Sequence, residues 1–369
     1  MTRLTFTGLK TRPGQVWGGI RLVPLVRPEP IESLRLHPAA RDSIVYEKMR
    51  GCWYAPHGLI AEWTGDGTAV PAYGSALQMA ANTVRRSRKP PTKLGRRTRV
   101  RFVPHRVALE SYLPLTFMSP EIAWPAWRPE AFRRGLPNAE TPRRTGEDMT
   151  GLREALRVFE IYPGQCGVLV YTADALAGVL VTPHPDDYRA LHATLIEDHY
   201  SELIYRYALT HRAVGEFEAR IDESSVTTVE ELRARVATAE AEWAAFHDAT
   251  MAAGLIGAAS RFHEQYRMGE YALHGFRPTD LMRPEGHVGE AITHEDGTLA
   301  YLRSYRLSET QLRRARLLDA LAEHQWHLEA TAASLRLEPG ALAARIHQAG
   351  FGELLQQHIV DHYRAVQAY

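Results

Sequence analysis

The sequence predicts an α+β protein: a mixed β-sheet body with packed helices, followed by an all-α helix-turn-helix unit. Three observations predict it. Short runs rich in β-branched and aromatic residues recur through the first two thirds, as at 20–26 and 167–171. Between them lie stretches with apolar residues at helical spacing, over 186–209 and 227–250. From Ser308 onward only helical spacing remains. We expect a body over residues 1–306, containing a basic, proline-rich region at 85–147, and a helical unit over 307–369.

Composition narrows the class. The 369 residues are 45% hydrophobic and 24% charged, enough apolar material for a sizeable core, which excludes disorder through most of the chain. No stretch approaches 18 uninterrupted apolar residues, and the first residues lack a signal-peptide core. Two cysteines, Cys52 and Cys166, are too few for a disulfide scaffold or a cysteine-rich zinc module. A cytoplasmic protein with no membrane contact is expected.

Taken in order, residues 20–26, 43–46 and 59–64 read as strands, the last ending at the turn Gly65-Asp66-Gly67. Residues 167–171 and 178–182 read as two buried strands joined by a short turn. They lead into an amphipathic helix with Tyr188, Leu191, Leu195, Leu203 and Tyr207 along one side. The longest helix starts at overlapping capping boxes, Thr227-x-x-Glu230 and Thr228-x-x-Glu231. Its seam of Leu232, Val236, Ala239, Trp243, Phe246 and Thr250 suits burial against its own domain, or else a helical hairpin or dimer coiled coil. A second hairpin pivots on Asp296-Gly297.

The net charge of +1 hides an asymmetry. From Arg85 to Arg144 fifteen Lys/Arg face four Glu, leaving −10 for the rest of the chain. The densest part, Arg85, Arg86, Arg88, Lys89, Lys93, Arg96, Arg97, Arg99 and Arg101, contains no acid. Such a block is either a solvated segment or an arm for a polyanion. Pro90-Pro91 within it favours an extended chain, and only short strands are expected over 85–147. Aromatics around the block, such as Trp53, Tyr112 and Trp127, suit base stacking or core packing.

At the C-terminal end, Ser308-x-x-Gln311 opens a helix carrying Leu312, Leu317, Leu318 and Leu321. A short helix then holds Ala332, Ala333 and Leu335, and Pro339 starts a third helix with Leu342, Arg345 and Ile346 before Gly350. This pattern resembles the helix-turn-helix of the Fis protein and of enhancer-binding activators of the NtrC type. The resemblance implies a two-fold dimer on duplex DNA, with Arg336, Arg345 and His347 as contacts and Gly340, Ala343 and Ala344 facing the groove. It also implies pairing through a C-terminal helix around residues 354–363. Six Arg face seven acids from Ser308 onward, so this unit alone brings little phosphate neutralisation.

The residues 4–26, and then 167–209 with Gly178, Tyr188, Leu195 and Tyr200, resemble the bacterial ARPP domains. These are named for gene association with ADP-ribosylglycohydrolases and rhodanese-phosphatases. The resemblance implies a link to ADP-ribose or RNA-repair metabolism by association and carries no catalytic residues. Residues 179–187 also resemble the strand and His-Pro-Asp-Asp opening of the PIG-L/LmbE zinc deacetylases. There His184 and Asp187 would bind zinc and Asp186 would be general base, but no third ligand follows. The blander reading has Asp186 or Asp187 capping a helix and His184 in an exposed turn. His57 suits a strand entrance, and His263, His274, His287 and His294 suit either convergence with Glu264 and Glu295 or, as is commoner for each, a surface or hydrogen-bonded place. No phosphate-binding loop, dinucleotide fingerprint or nucleophile elbow is present.

The expected function is that of a nucleic-acid-associated accessory or regulatory protein, binding DNA or RNA. It would be a homodimer without cofactor or metal, in a bacterial RNA-repair, ADP-ribose-linked, stress or defence system. The alternative is an enzyme acting on nucleotide, ADP-ribose or RNA-end substrates.

Overall fold

Hairpins generate most of the large sheet among the described residues. The computed structural model describes residues 2–37, 51–57, 59–63, 69–71, 76–79, 101–102, 105–118, 154, 156–222, 224 and 226–355. The early strands are β1 (Thr2–Arg3), β2 (Lys10–Thr11), β3 (Gln15–Trp17), β4 (Ile20–Val26) and β5 (Leu34–Leu36). They are followed by β6 (Cys52–Ala55), β7 (Leu59–Trp63), β8 (Ala69–Pro71), β9 (Ala76–Met79) and β10 (Arg101–Phe102). The later ones are β11 (Gln165–Thr172), β12 (Ala175–Val181), β13 (Ala259–Met268), β14 (Tyr271–Pro278), β15 (His287–His294) and β16 (Leu299–Arg306).

One large sheet runs in the order β1, β13, β14, β15, β16, β12, β11, β4, β2, with β3 also on β4. Every pairing in it is antiparallel. The expected mixed sheet is therefore corrected: among the described residues only β5 and β6 pair in parallel. Tight turns are the reason, because a two-residue link returns the chain antiparallel whereas a parallel neighbour needs a long crossover. The β11–β12 link is Ala173-Asp174, both with positive φ (48° and 58°), the left-handed pair that such a hairpin requires. Asp174 accepts a hydrogen bond at 3.0 Å from Arg21 Nε on β4, which fastens the turn.

Alternation along the central strands builds two layers. Val168 and Val170 of β11 face Tyr188, Leu191, Leu195 and Ile204, whereas Leu169 and Tyr171 face Trp243, Leu255, Phe276 and Leu302. The expected hairpins at 167–182 and 288–306 are present, and β7 pairs with β8 as expected across residues 64–68. The expected strand at 43–46 lies outside the described residues. The β13–β14 hairpin has no counterpart in the sequence reading.

Helices depart from expectation in three places. Within the proline-rich region stands α1 (His105–Thr116), with Pro114 inside it. Its Ala108, Leu109, Tyr112 and Leu113 are buried, and that apolar face outweighs the proline near its end. The continuous helix expected over 186–209 is two helices, α2 (Pro185–Thr194) and α3 (Ser201–Thr210), separated by a π-helical turn at Leu195–His199. That turn brings Asp198, His199 and Tyr200 into the interior together. The third case is α4 (Val229–Phe246), which uses the second capping box, Thr228 with Glu231. Its seam is not buried against the domain: Leu232, Val236 and Phe246 are exposed, and Trp243 alone is fully buried. Trp243 stacks on His247, and Tyr171 Oη lies 2.7 Å from His247 Nε2, so the helix is held by its C-terminal end.

Three helices follow the sheet: α5 (Glu309–Glu323), α6 (Leu328–Ser334) and α7 (Pro339–Gln348). Their Leu312, Leu318, Leu321, Ala332, Leu342 and Ile346 share one apolar cluster with Leu109, Tyr112 and Leu113 of α1. No helix among the described residues is long and apolar enough to cross a membrane.

Candidate functional site

Local chemistry sets the C-terminal helices in place. The Ser308 hydroxyl accepts from Gln311 N while the Gln311 side chain accepts from Ser308 N, a capping box that opens α5. After α6, Arg336 takes a positive φ of 55°, and Leu337 N donates to Ala332 O at 2.9 Å. Pro339 then occupies the first turn of α7. Gly350, at φ 83°, ends it with Phe351 N donating to Ile346 O.

The same helices are fastened to the body. Arg314 pairs with Glu110 of α1 and lies over the Phe351 ring, and Asp319 pairs with Arg277 of β14. Arg316 Nε donates to Leu281 O. Those arginines serve packing. Arg336 and Arg345 differ: both are exposed, and neither has an ion pair or side-chain hydrogen bond among the described residues. His347 is exposed beside them. Leu342 and Ile346 are buried, so α7 has an inner apolar face and an outer polar one. Ala343, expected at the groove-facing surface, is instead buried, because it lies next to Leu342 on the inward stripe. Gly340 and Ala344 are half-buried.

Of the basic segment, Arg85, Arg86, Arg88, Lys89, Lys93, Arg96, Arg97 and Arg99 lie outside the described residues. Arg101 stands on β10, opposite Ile60 of β7. The proposed pairing helix around 354–363 lies outside them except at its start, where residues 352–354 form a 3-10 turn.

The His-Pro-Asp-Asp residues do architectural work. His184, rather than either aspartate, caps α2, its Nδ1 accepting from Asp186 N at 3.1 Å. Asp187 is fully buried. Its Oδ1 accepts from Arg35 Nε and Nη2 at 3.3 and 3.2 Å, and its Oδ2 from Leu36 N at 2.8 Å. Among the described residues no group of three His, Cys, Asp or Glu side chains is placed to hold a metal ion. The four later histidines do not converge: His287 and His294 stand at opposite ends of β15, about 24 Å apart at strand rise.

A cluster the sequence reading missed lies where α1, the π-helical turn and β15–β16 meet. Arg303 of β16 is 1% exposed, and Glu290 of β15 faces it across the ladder. Glu290 Oε1 accepts from Tyr301 Oη at 2.9 Å and from His57 N at 3.2 Å. His105, His199, Tyr112, Tyr200 and Tyr305 pack around them with ring centroids 4.7–6.0 Å apart. Burial and the nearby Arg303 charge hold His57 and His105 down at about 3, and burial raises the Glu290 carboxyl above its ordinary range. The available signal was a Glu and an Arg interrupting two otherwise buried strands.

No curated protein and no solved structure matches this chain. The ARPP-2 family matches residues 4–269, a span that takes in α1, α2–α4, the β11–β12 hairpin and most of the sheet's outer strands. With more than two thirds of its length matched, the chain belongs to the ARPP-2 family.

Proposed function

We propose that this protein is a nucleic-acid-associated accessory or regulatory factor whose α5–α7 unit docks on duplex DNA. The observation that carries the reading is the outer face of α7. Arg345 is exposed on its flank, Arg336 stands exposed in the preceding turn, and the inner face is held by Leu342 and Ile346. In a helix-turn-helix the second motif helix presents its N-terminal residues to base edges while its apolar side packs inward.

Two exposed arginines neutralise few phosphates, and the segment from Arg85 to Arg101 supplies the larger positive charge in this reading. The binding unit is a two-fold homodimer with its recognition helices about 34–36 Å apart. The setting is the RNA-repair, ADP-ribose-linked or defence system that the ARPP likeness implies.

Arg345→Ala tests the reading. If Arg345 meets a guanine edge bidentately, specific duplex binding weakens by about 1–3 kcal/mol, while non-specific binding changes less. Fluorescence anisotropy with selected and scrambled duplexes measures both. Equal affinity of variant and parent for the selected duplex would count against α7 as the reading helix.

A further inference from the structure

We infer that the buried cluster around Arg303 is a binding site for a phosphoryl group, distinct from the surface of α7. Arg303 makes a single hydrogen bond among the described residues, from Nη2 to His199 Nε2 at 3.4 Å. Its Nε and Nη1 are buried without an acceptor there; Glu290, paired opposite it on β15, makes no direct ion pair with it but lies near enough to feel its charge. The guanidinium rests between Phe102 and Tyr305, at 5.3 and 5.0 Å from their ring centroids. A buried guanidinium left in this condition costs several kcal/mol unless an anion compensates it.

Arg303 is not alone. His105 Nε2, Tyr112 Oη and Tyr305 Oη are also shielded from solvent and have no hydrogen-bond partner among the described residues. The rings of His105 and Tyr112 lie 5.0 and 6.0 Å from that of Tyr305. Buried polar groups are ordinarily paired, so unsatisfied donors from β16 and α1 in one place point to an absent acceptor. The acceptor is an anion, because the guanidinium keeps two unsatisfied N–H groups while burial drives the Glu290 carboxyl opposite it towards its neutral form. A phosphoryl group fits better than a carboxylate, since its additional oxygens accept from donors arriving from two elements at once.

Tyr200 packs onto the sheet beside this cluster. A Cβ at Gly178 would stand 2.3 Å from Tyr200 Oη and 2.7 Å from Ser304 O, so glycine there lets the tyrosine reach the sheet.

The test uses the full chain at constant ionic strength, titrated with inorganic phosphate, adenosine 5′-monophosphate and adenosine. Isothermal titration and thermal unfolding are the readouts. We expect saturable binding of phosphate, of the monophosphate or of both, with a rising midpoint, and none of adenosine. Equal affinity for both anions identifies free phosphate as the ligand chemistry; at least tenfold tighter monophosphate identifies a phosphomonoester. Arg303→Met should abolish binding. Should that variant fail to fold, Tyr112→Phe with Tyr305→Phe removes two hydroxyls with almost no change in volume and should weaken binding at least tenfold. Absence of saturable binding by either anion, or undiminished binding in the folded double variant, would overturn the inference.

Discussion

Acidification from pH 7.5 to pH 5 should remove several kcal/mol of folding stability, well before ordinary carboxylates titrate. Burial holds His57, His105 and His287 at about 3, against about 6.5 in an unfolded chain, with Arg303 or Arg306 adding to the effect. A histidine whose folded value is depressed leaves the folded state with fewer protons than the unfolded one. Its neutral form is accommodated at no cost above about pH 6.5, and stability is lost as pH falls from there towards 3. Each such histidine contributes about 1.4 kcal/mol per pH unit inside that window, so three together approach about 4 kcal/mol per unit. Glu290 works in the opposite direction, because a raised carboxyl gains its proton more readily in the folded state; it offsets part of one histidine. Against a typical total of about 5–15 kcal/mol, the loss is large enough to unfold the protein near pH 5. Urea unfolding at half-unit steps measures it. Uptake of two to three protons on unfolding at pH 5.5 is expected; a flat profile between pH 7.5 and 5 would show that these imidazoles are not held neutral in the interior.

Asp187→Ala should cost about 3–5 kcal/mol. The carboxylate is fully buried and joins β5 to α2 through Arg35 and Leu36 N. Alanine would leave the Arg35 guanidinium, whose side chain is only 16% exposed, with the exposed Glu32 as its remaining carboxylate partner, and would strand a buried backbone N–H. The penalty is the desolvation of both groups rather than the value of the pair itself. Asp187→Asn keeps one oxygen for Leu36 N and should lose less. Thermal and urea unfolding of both variants supply the comparison. A loss below about 1 kcal/mol for alanine would show that Arg35 and Leu36 find other partners.

Sequence carried much of this architecture, and the exceptions have physical causes. The hairpins at 167–182 and 288–306 were legible because β-branched runs flank compact turns, even where the turn, Ala173-Asp174, contains no glycine. Helix α1 was hidden because proline content was weighed above the Ala108, Leu109, Tyr112, Leu113 stripe. The π-helical turn left no such trace: Leu195 keeps the spacing from Leu191, and the extra residue in the turn shows only in what becomes buried. In α4, spacing alone could not tell a seam buried in the domain from one facing outward, since both need the same period. At the site level, the placement of Arg336 in the turn and of Arg345 and His347 on the third helix was legible. The Arg303 cluster was not, because its members come from β10, α1, the π-helical turn, β15 and β16, and only the fold brings them together.

The nucleic-acid reading turns on charge, and the salt dependence of duplex binding tests it most directly. Affinity of the full chain for a duplex of about 30 base pairs should fall log-linearly between 50 and 200 mM salt. The slope should be close to −0.9 for each phosphate neutralised. Replacing Arg336 and Arg345 together with glutamine should flatten that slope by about 1.8 while leaving the unfolding transition in place. No measurable duplex binding at 50 mM salt, or a slope unchanged by the double substitution, would contradict the docking of α7 on DNA.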